Sequence, residues 1–368
     1  MADLIALLAS LVRVRSDLGC GGEALLASRL GQDLARLGAD DVSVAEVPRP
    51  GGDAAAYVYA RFGRPKLLIN AHLDTVPPNN GWTASPFDLR VDAGRVFGLG
   101  ACDIKGAIAA ILAALETTRP RDTAILFSGD EEHGNVAMAA FLASEHARGL
   151  ERAIVCEPTS LAVGMRHRGV IALESRATSV GGHSSRADQV PAPLADLARL
   201  AVALDEYGRE HRDRGPAGYT GLCMNIGRLD GGIAFNVIPT EATLSASLRP
   251  PPGAAMEKLE EEILALARRT LPHATTRFTL SNAPFRTREP DAFQRYFGDR
   301  ASTPVDLGFW TEAALLSSAG IDAVVFGPGD IAYAHSPDEW VPIAELESAR
   351  DLFVSVFRAT HEGEHGTI

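Results

Sequence analysis

Residues able to bind a metal ion or move a proton recur in this sequence at the ends of short apolar runs. Leu67–Ile69 leads into His72-Leu-Asp74, Thr123–Phe127 into Ser-Gly-Asp130-Glu131-Glu132, and Ala153–Cys156 into Glu157-Pro158. Such runs read as buried strands, and in open α/β sheets functional groups collect at the carboxyl edge of the strands. Alternate residues of a strand point the same way, so Asp74 is expected to accept the proton on the outer ring nitrogen of His72. The other ring nitrogen is then left neutral for a cation. Asp103 lies between a glycine-rich turn and the apolar helical run Ile104–Leu115, placed to cap that helix while offering a second oxygen outward. His335 follows Gly327-Pro-Gly-Asp330 in a late loop.

Together His72, Asp103, Glu131, Glu132, Glu157 and His335 supply imidazole and carboxylate donors suited to borderline divalent ions. Zinc is the first expectation, with cobalt or manganese able to substitute. One zinc ion needs only three protein ligands. Two ions about 3.5–4 Å apart, sharing one carboxylate and a bridging water, would use the whole set, and such a water ionises near neutral pH.

The elements that must position these residues alternate along the first half of the chain. Helices are expected over Leu4–Val14 and Ala24–Leu37, strands over Val42–Val47 and Ala55–Phe62 around a turn at 48–52, and a hairpin over Leu89–Leu99. Helices Ile104–Thr117 and Val136–Ala147 follow. From about Gly169 the texture changes. Strand Val170–Ala177, helix Pro193–Arg209, strands Leu222–Leu229 and Val237–Leu248, helix Ala254–Thr270 and strand Thr275–Leu280 give the order of a two-layer, ferredoxin-like α+β module with an antiparallel sheet. It reads as an insertion. Helix Thr311–Ser318, strand Ala323–Phe326 and helix Ile343–Thr360 then resume the α/β pattern. The expected division is a catalytic α/β domain with a mixed, mostly parallel sheet over 1–168 and 282–368, interrupted by an inserted domain over 169–281.

A length of 368 residues fits two cores, and 46% hydrophobic with 22% charged residues is an ordinary globular balance. The 35 basic and 47 acidic residues leave a formal charge of −12, which argues against nucleic acid and anionic membranes as partners. Asp3, Ser10 and Arg13 mark the first apolar segment as an amphipathic helix instead of a targeting signal, and no run approaches the ~20 apolar residues of a membrane span. A cytoplasmic protein is expected. Cys20, Cys102, Cys156 and Cys223 form no C-x-x-C pair, so neither a thiolate zinc site nor a disulfide framework is expected, and Cys102 and Cys156 read as small buried residues. His133 and His167 read as local structure, His146, His211 and His273 as solvated, and His361 and His365 as surface of the tail.

The order of these blocks resembles a known family. His72-x-Asp74, Asp103-x-Lys105-Gly106, Glu131-Glu132, Glu157-Pro158 and the late His335 are similar to the five ligand blocks of the co-catalytic zinc aminoacylase/carboxypeptidase family. Asn225–Gly232, Phe309-Trp-Thr-Glu-Ala313 and Gly327–Glu339 further resemble its acetylornithine/acetylcitrulline deacetylase branch. The resemblance implies a zinc-exopeptidase-like catalytic domain whose inserted module is a lid and dimerisation domain, and hence a homodimer. It also implies that His72 and Glu157 hold one ion, Glu132 and His335 the other, and Asp103 both. Asp74 would orient His72, Glu131 would act as general base, and His183 would reach a neighbouring subunit's site to polarise the substrate carbonyl. Arg249, with Asn236, matches positions that bind the substrate's α-carboxylate, and Thr311 and Glu312 positions for its side chain. The implied activity is removal of the N-acetyl group from a small N-acyl amino acid of arginine synthesis by attack of the water between the ions. A related exopeptidase, carboxypeptidase or desuccinylase is the alternative, and a non-catalytic scaffold is disfavoured by the complete ligand set.

Overall fold

Strands with no polar face form the centre of the sheet. The computed structural model describes residues 4–50 and 52–361, so His365 lies outside the described residues. Leu67–His72 lies parallel to Thr123–Ser128 on one side and to Arg152–Val155 on the other, and Asp322–Val325 continues the parallel run. Every residue of Leu67–His72 and Thr123–Ser128 is buried, as parallel strands covered on both faces require. The flanks are antiparallel: Ala55–Phe62 pairs with Thr123–Ser128, Asp41–Val47 with Ala55–Phe62, and Gly164 with Val325. Leu67 stands opposite both Thr123 and Arg152, so His72, Ser128 and Val155 emerge at one edge. His72 itself and the acids that follow these three ends are the residues singled out by the sequence.

The helices seal this sheet. Gly106–Thr117 is buried from Gly106 to Leu115 and packs on Ile343–Ala359, whose Leu346, Phe353 and Phe357 are fully enclosed. Gly106 leaves no room for a side chain, since a Cβ there would stand 2.4 Å from the carbonyl oxygen of Ala101 in the preceding turn and 2.9 Å from Leu346 Cδ2 of the facing helix. Residues up to Met165, Thr287–Leu307 and those from Thr311 onward make up this unit.

Arg166–Arg286 with Gly308–Trp310 form a second compact unit. Its antiparallel sheet runs Cys223–Gly231, Glu241–Arg249, Val170–Thr178, Thr275–Asn282 in spatial order. Burial alternates along Val170–Thr178 and Glu241–Arg249, and the inward residues Ile171, Leu173, Leu244 and Leu248 cluster with Leu197, Leu200 and Leu204 of helix Pro193–His211 and Ile263 of helix Met256–Thr270. Among the described residues no helix is long and apolar enough to cross a membrane.

Several expectations need correction. The run Val237–Leu248 breaks at Pro239 into Val237–Ile238, which pairs with Gly182–His183, and Glu241–Arg249, because proline has no N–H for the ladder. Helix Val136–Ala143 stops where Ser144 turns extended and accepts the His146 N–H. Asp103 caps no helix: residues 101–105 form a separate tight turn and the helix begins at Gly106. His146 stacks on Tyr59 and His211 on Tyr207, with centroids 4.5 and 4.0 Å apart, and His273 Nε2 lies 3.5 Å from Asp196, so none of the three is merely solvated. Cys102, Cys156 and His167 are buried.

The close approach at Gly106 generates a stability prediction. Gly106→Ala should lower the unfolding free energy by about 1–3 kcal/mol, read from the urea midpoint by circular dichroism. An unchanged midpoint would show that the helix can move away without cost.

Candidate metal centre

Three strand ends and two loops converge at the carboxyl edge of the sheet in the first unit. His72, the last residue of its strand, is buried; its Nε2 lies 2.9 Å from Asp103 Oδ1. Its Nδ1 is 2.9 Å from the Asp74 carbonyl oxygen and 3.6 Å from Asp74 Oδ1, so the nearer acceptor is backbone and not the expected carboxylate. The Asp74 carboxylate is engaged elsewhere. Its two oxygens accept the backbone N–H groups of Glu131 and Glu132 at 3.1 and 3.0 Å. Asp74 thus ties the His72 loop to the acid pair on the neighbouring strand's exit.

Asp103 stands between two imidazoles, with Oδ2 3.3 Å from His335 Nε2, and the same nitrogen lies 2.8 Å from Glu132 Oε1. Ligand atoms of His72, Asp103 and Glu132 all fall within 4.8 Å of one another, a geometry able to hold a metal ion. The turn bearing Asp103 is held by a residue whose role the sequence reading missed. Glu339, buried, accepts the N–H groups of Cys102 and Asp103 at 2.8 and 3.0 Å through one oxygen and that of Gly100 at 3.0 Å through the other. In the sequence it is marked only as the last residue of the Gly327–Glu339 block, four residues past His335.

The Gly327-Pro-Gly329 block has a packing reason. A Cβ at Gly327 would stand 2.6 Å from the Glu157 carbonyl oxygen, and one at Gly329, where φ is +91°, 2.5 Å from Cys102 Sγ. Leu161 and Ser160 donate N–H groups to the carbonyls of Gly327 and Gly329 at 2.9 and 2.6 Å, so the loop leading to His335 is stitched to the loop that follows Glu157.

Charge decides what this arrangement can hold. Asp103, Glu131, Glu132 and Glu157 are gathered with two histidines, and among the described residues no lysine or arginine pairs with any of the four acids. Burial raises the Glu131 carboxyl well above the usual range, helped by the charges of Glu132, Glu312 and Asp74; burial and Asp103 do the same to Glu157. Burial also raises Glu132, although its bond to His335 opposes the shift. Burial works against ionisation of Asp103, but hydrogen bonds from His335 and His72 outweigh it and hold the group low. Those to Asp103 and Glu132 raise His335 to about 10, and His72 is raised by Asp103 and Asp74 despite its burial. Acids crowded at one point with too few cations fit divalent metal, and oxygen with imidazole nitrogen is a zinc-type donor set.

The remaining site candidates fall into two groups. Thr311 and Glu312 are buried in the first unit: Thr311 Oγ1 accepts the Ala313 N–H at 3.2 Å, and Glu312 accepts the Ser128 hydroxyl at 2.7 Å. His183, Asn236 and Arg249 belong to the second unit. There exposed His183 accepts the Ser185 N–H through Nδ1, the Asn236 carbonyl accepts the Ser184 N–H at 3.0 Å, and Arg249 ends its strand half-buried.

Comparison with known proteins bears on the chain as a whole. The chain is 37% identical to the N-acetyl-L-citrulline deacetylase of Xanthomonas campestris pv. campestris over 84% of its length and 86% of that protein. It is 29% identical to the acetylornithine deacetylase of Proteus mirabilis over 84% of both. Its fold matches the M20 family metallo-carboxypeptidase Sso-CP2 of Sulfolobus solfataricus with a TM-score of 0.77 at 19% identity, covering 98% of this chain and 99% of that one. The model of peptidase family M20/M25/M40 matches residues 68–359, a span that holds every candidate ligand, and the chain is a hydrolase belonging to that family.

Proposed function

We propose that this protein is a metal-dependent deacetylase that removes the acetyl group from an N-acetyl amino acid of arginine synthesis, N-acetyl-L-citrulline before N-acetyl-L-ornithine. The observation that carries the reading is the meeting of His72, Asp103, Glu132 and His335 around one point, in a chain whose 37% identical relative is an acetylcitrulline deacetylase. His72 and Glu157 are assigned to one divalent ion, Glu132 and His335 to a second, and Asp103 to both. Zinc is the proposed metal, with cobalt or manganese as substitutes. When bound, the ions would supply a polarised amide carbonyl and a water acidified to near neutrality.

The chain's own groups do the rest. Glu131, half-buried and anchored through its N–H to Asp74, takes the proton of the attacking water and delivers it to the amine nitrogen as the C–N bond breaks, leaving acetate and the free amino acid. Asp74 and Glu339 hold the ligand-bearing loops so that little reorganisation accompanies the reaction. Arg249 and Asn236 are assigned to the substrate's α-carboxylate and Thr311 and Glu312 to its side chain. A homodimer through the second unit, with His183 of the partner subunit at the acyl oxygen, completes the proposal, for a small-molecule enzyme of the cytoplasm without nucleic-acid or membrane partners.

Relative rates on N-acetylcitrulline, N-acetylornithine, N-succinyl amino acids and dipeptides test the substrate class. N-acetylcitrulline should turn over fastest, and a preference for dipeptides would replace this reading with an exopeptidase. Glu131→Ala should retain metal but lower kcat by about 100–10,000-fold, and parent-like turnover would remove Glu131 as the base. In the metal-free protein the proton held between His335 and its carboxylates persists to about pH 10, so an incoming ion must expel it. Apparent zinc affinity should therefore rise with pH between 6 and 9, with proton release seen as a buffer-dependent binding heat; pH-independent affinity would contradict this.

A further inference from the structure

A buried ion cluster stands behind the loop that carries Glu131 and Glu132, and the chemistry proposed above makes no use of it. Arg49 comes from Pro48-Arg49-Pro50, between strands Asp41–Val47 and Ala55–Phe62, where composition announces only a turn. Yet its side chain is 5% exposed. The guanidinium faces three carboxylates: Glu23 through Nη2, Asp130 Oδ1 through Nε at 3.2 Å, and Asp53 Oδ1 through Nη1 at 3.7 Å. A buried cation is costly unless its partners surround it, and a planar fork can serve several carboxylates where an ammonium is a point charge.

Asp130 is the residue immediately before Glu131, and the turn hangs on it. Its backbone is left-handed at φ 67°, and its carbonyl accepts the N–H groups of Gly134 and Asn135 at 3.1 and 2.7 Å. Asp130 Oδ2 accepts the Val136 N–H at 3.0 Å, which leaves Oδ1 with Arg49 and no hydrogen bond. On the opposite side of Arg49, Glu23 Oε2 accepts the Ala56 N–H at 3.3 Å and lies so near the loop that a Cβ at Gly129 would stand 1.9 Å from it. Asp74 holds the N–H groups of Glu131 and Glu132 from one direction; the Glu23–Arg49–Asp130 chain holds the start of the same loop from another.

We propose that Arg49 is a positioning residue of the reaction: by fixing Asp130 against Glu23 it sets where Glu131 and Glu132 project toward the metals. This rests on the reading of Glu132 as a ligand and Glu131 as the base. Arg49 itself pairs with Glu23, Asp53 and Asp130 and with none of the residues assigned to metal or substrate.

Full-length Arg49→Met, Arg49→Lys and Asp130→Asn test it, through zinc competition against a chromophoric chelator and steady-state kinetics on N-acetylcitrulline. Changes to residues that orient ligands cost about 10–100-fold in metal affinity or activity. Arg49→Met should lose that much in kcat and in affinity for the weaker zinc, with KM within about twofold of the parent and the lysine variant intermediate. Asp130→Asn keeps an oxygen for Val136 but removes the ion pair, so it should show the same pattern and serves where Arg49→Met does not fold. Parent-like kcat and zinc affinity in either folded variant overturn the proposal. Recovery in the double variant Arg49→Met with Glu23→Gln would overturn it too, because Arg49 would then only neutralise Glu23. A parent enzyme that binds no pair of zinc ions would instead sink the metal reading, and this proposal with it, so the two failures are told apart. The zinc arm needs no substrate and stands whichever acyl amino acid is preferred.

Discussion

Asp103 is the constraint from which the remainder of this molecule can be understood. Its two oxygens meet imidazoles from opposite ends of the chain, 2.9 Å from His72 and 3.3 Å from His335. A carboxylate in that position is tolerable only if cations compensate it, because burial alone would neutralise it. In the metal-free chain Asp103 pushes both imidazoles toward the charged form, which partly plays that part. Divalent ions would do so more completely, and would also relieve the crowding of Glu131, Glu132 and Glu157, whose carboxyls burial drives upward. Such a site is a poor source of stability by itself and has the geometry to hold a metal ion.

Holding so much like charge in place requires a rigid surround, and the fold supplies it in two layers. Parallel register carries His72 and the starts of the Glu131 and Glu157 loops to one edge without any side-chain contact being needed. Backbone N–H groups then do the fine positioning: three are gathered by Glu339 behind Asp103, and two by Asp74 beneath the acid pair. Each acid that orients the site accepts backbone donors, while the acids assigned to metal are left facing inward.

Much of this was legible in the sequence because it is local. An apolar run that ends in an acid or histidine reports both a strand and what the strand delivers, so His72, Glu131, Glu132 and Glu157 are legible as candidates from pattern, while the roles given to them come from the family resemblance. Asp103 and His335 stood out by their positions after glycine-rich turns, but the capping role given to Asp103 was wrong, since its turn is satisfied by Glu339 from more than 200 residues away. Arg49 and Glu339 carry no pattern that reports their roles: the first looks like part of a turn and the second is only the last residue of the Gly327–Glu339 block, and only the fold joins them to their partners. Tyr207 and His211, four apart on one helix face, could have been paired from spacing, whereas Tyr59 and His146 could not.

The most direct test of the central claim is an anomalous difference map collected at the zinc absorption edge from crystals of the zinc-loaded protein. Two peaks about 3.5–4 Å apart, with Asp103 between them, His72 and Glu157 on one and Glu132 and His335 on the other, are the predicted result. A single peak, or peaks bound by residues outside this set, would contradict it.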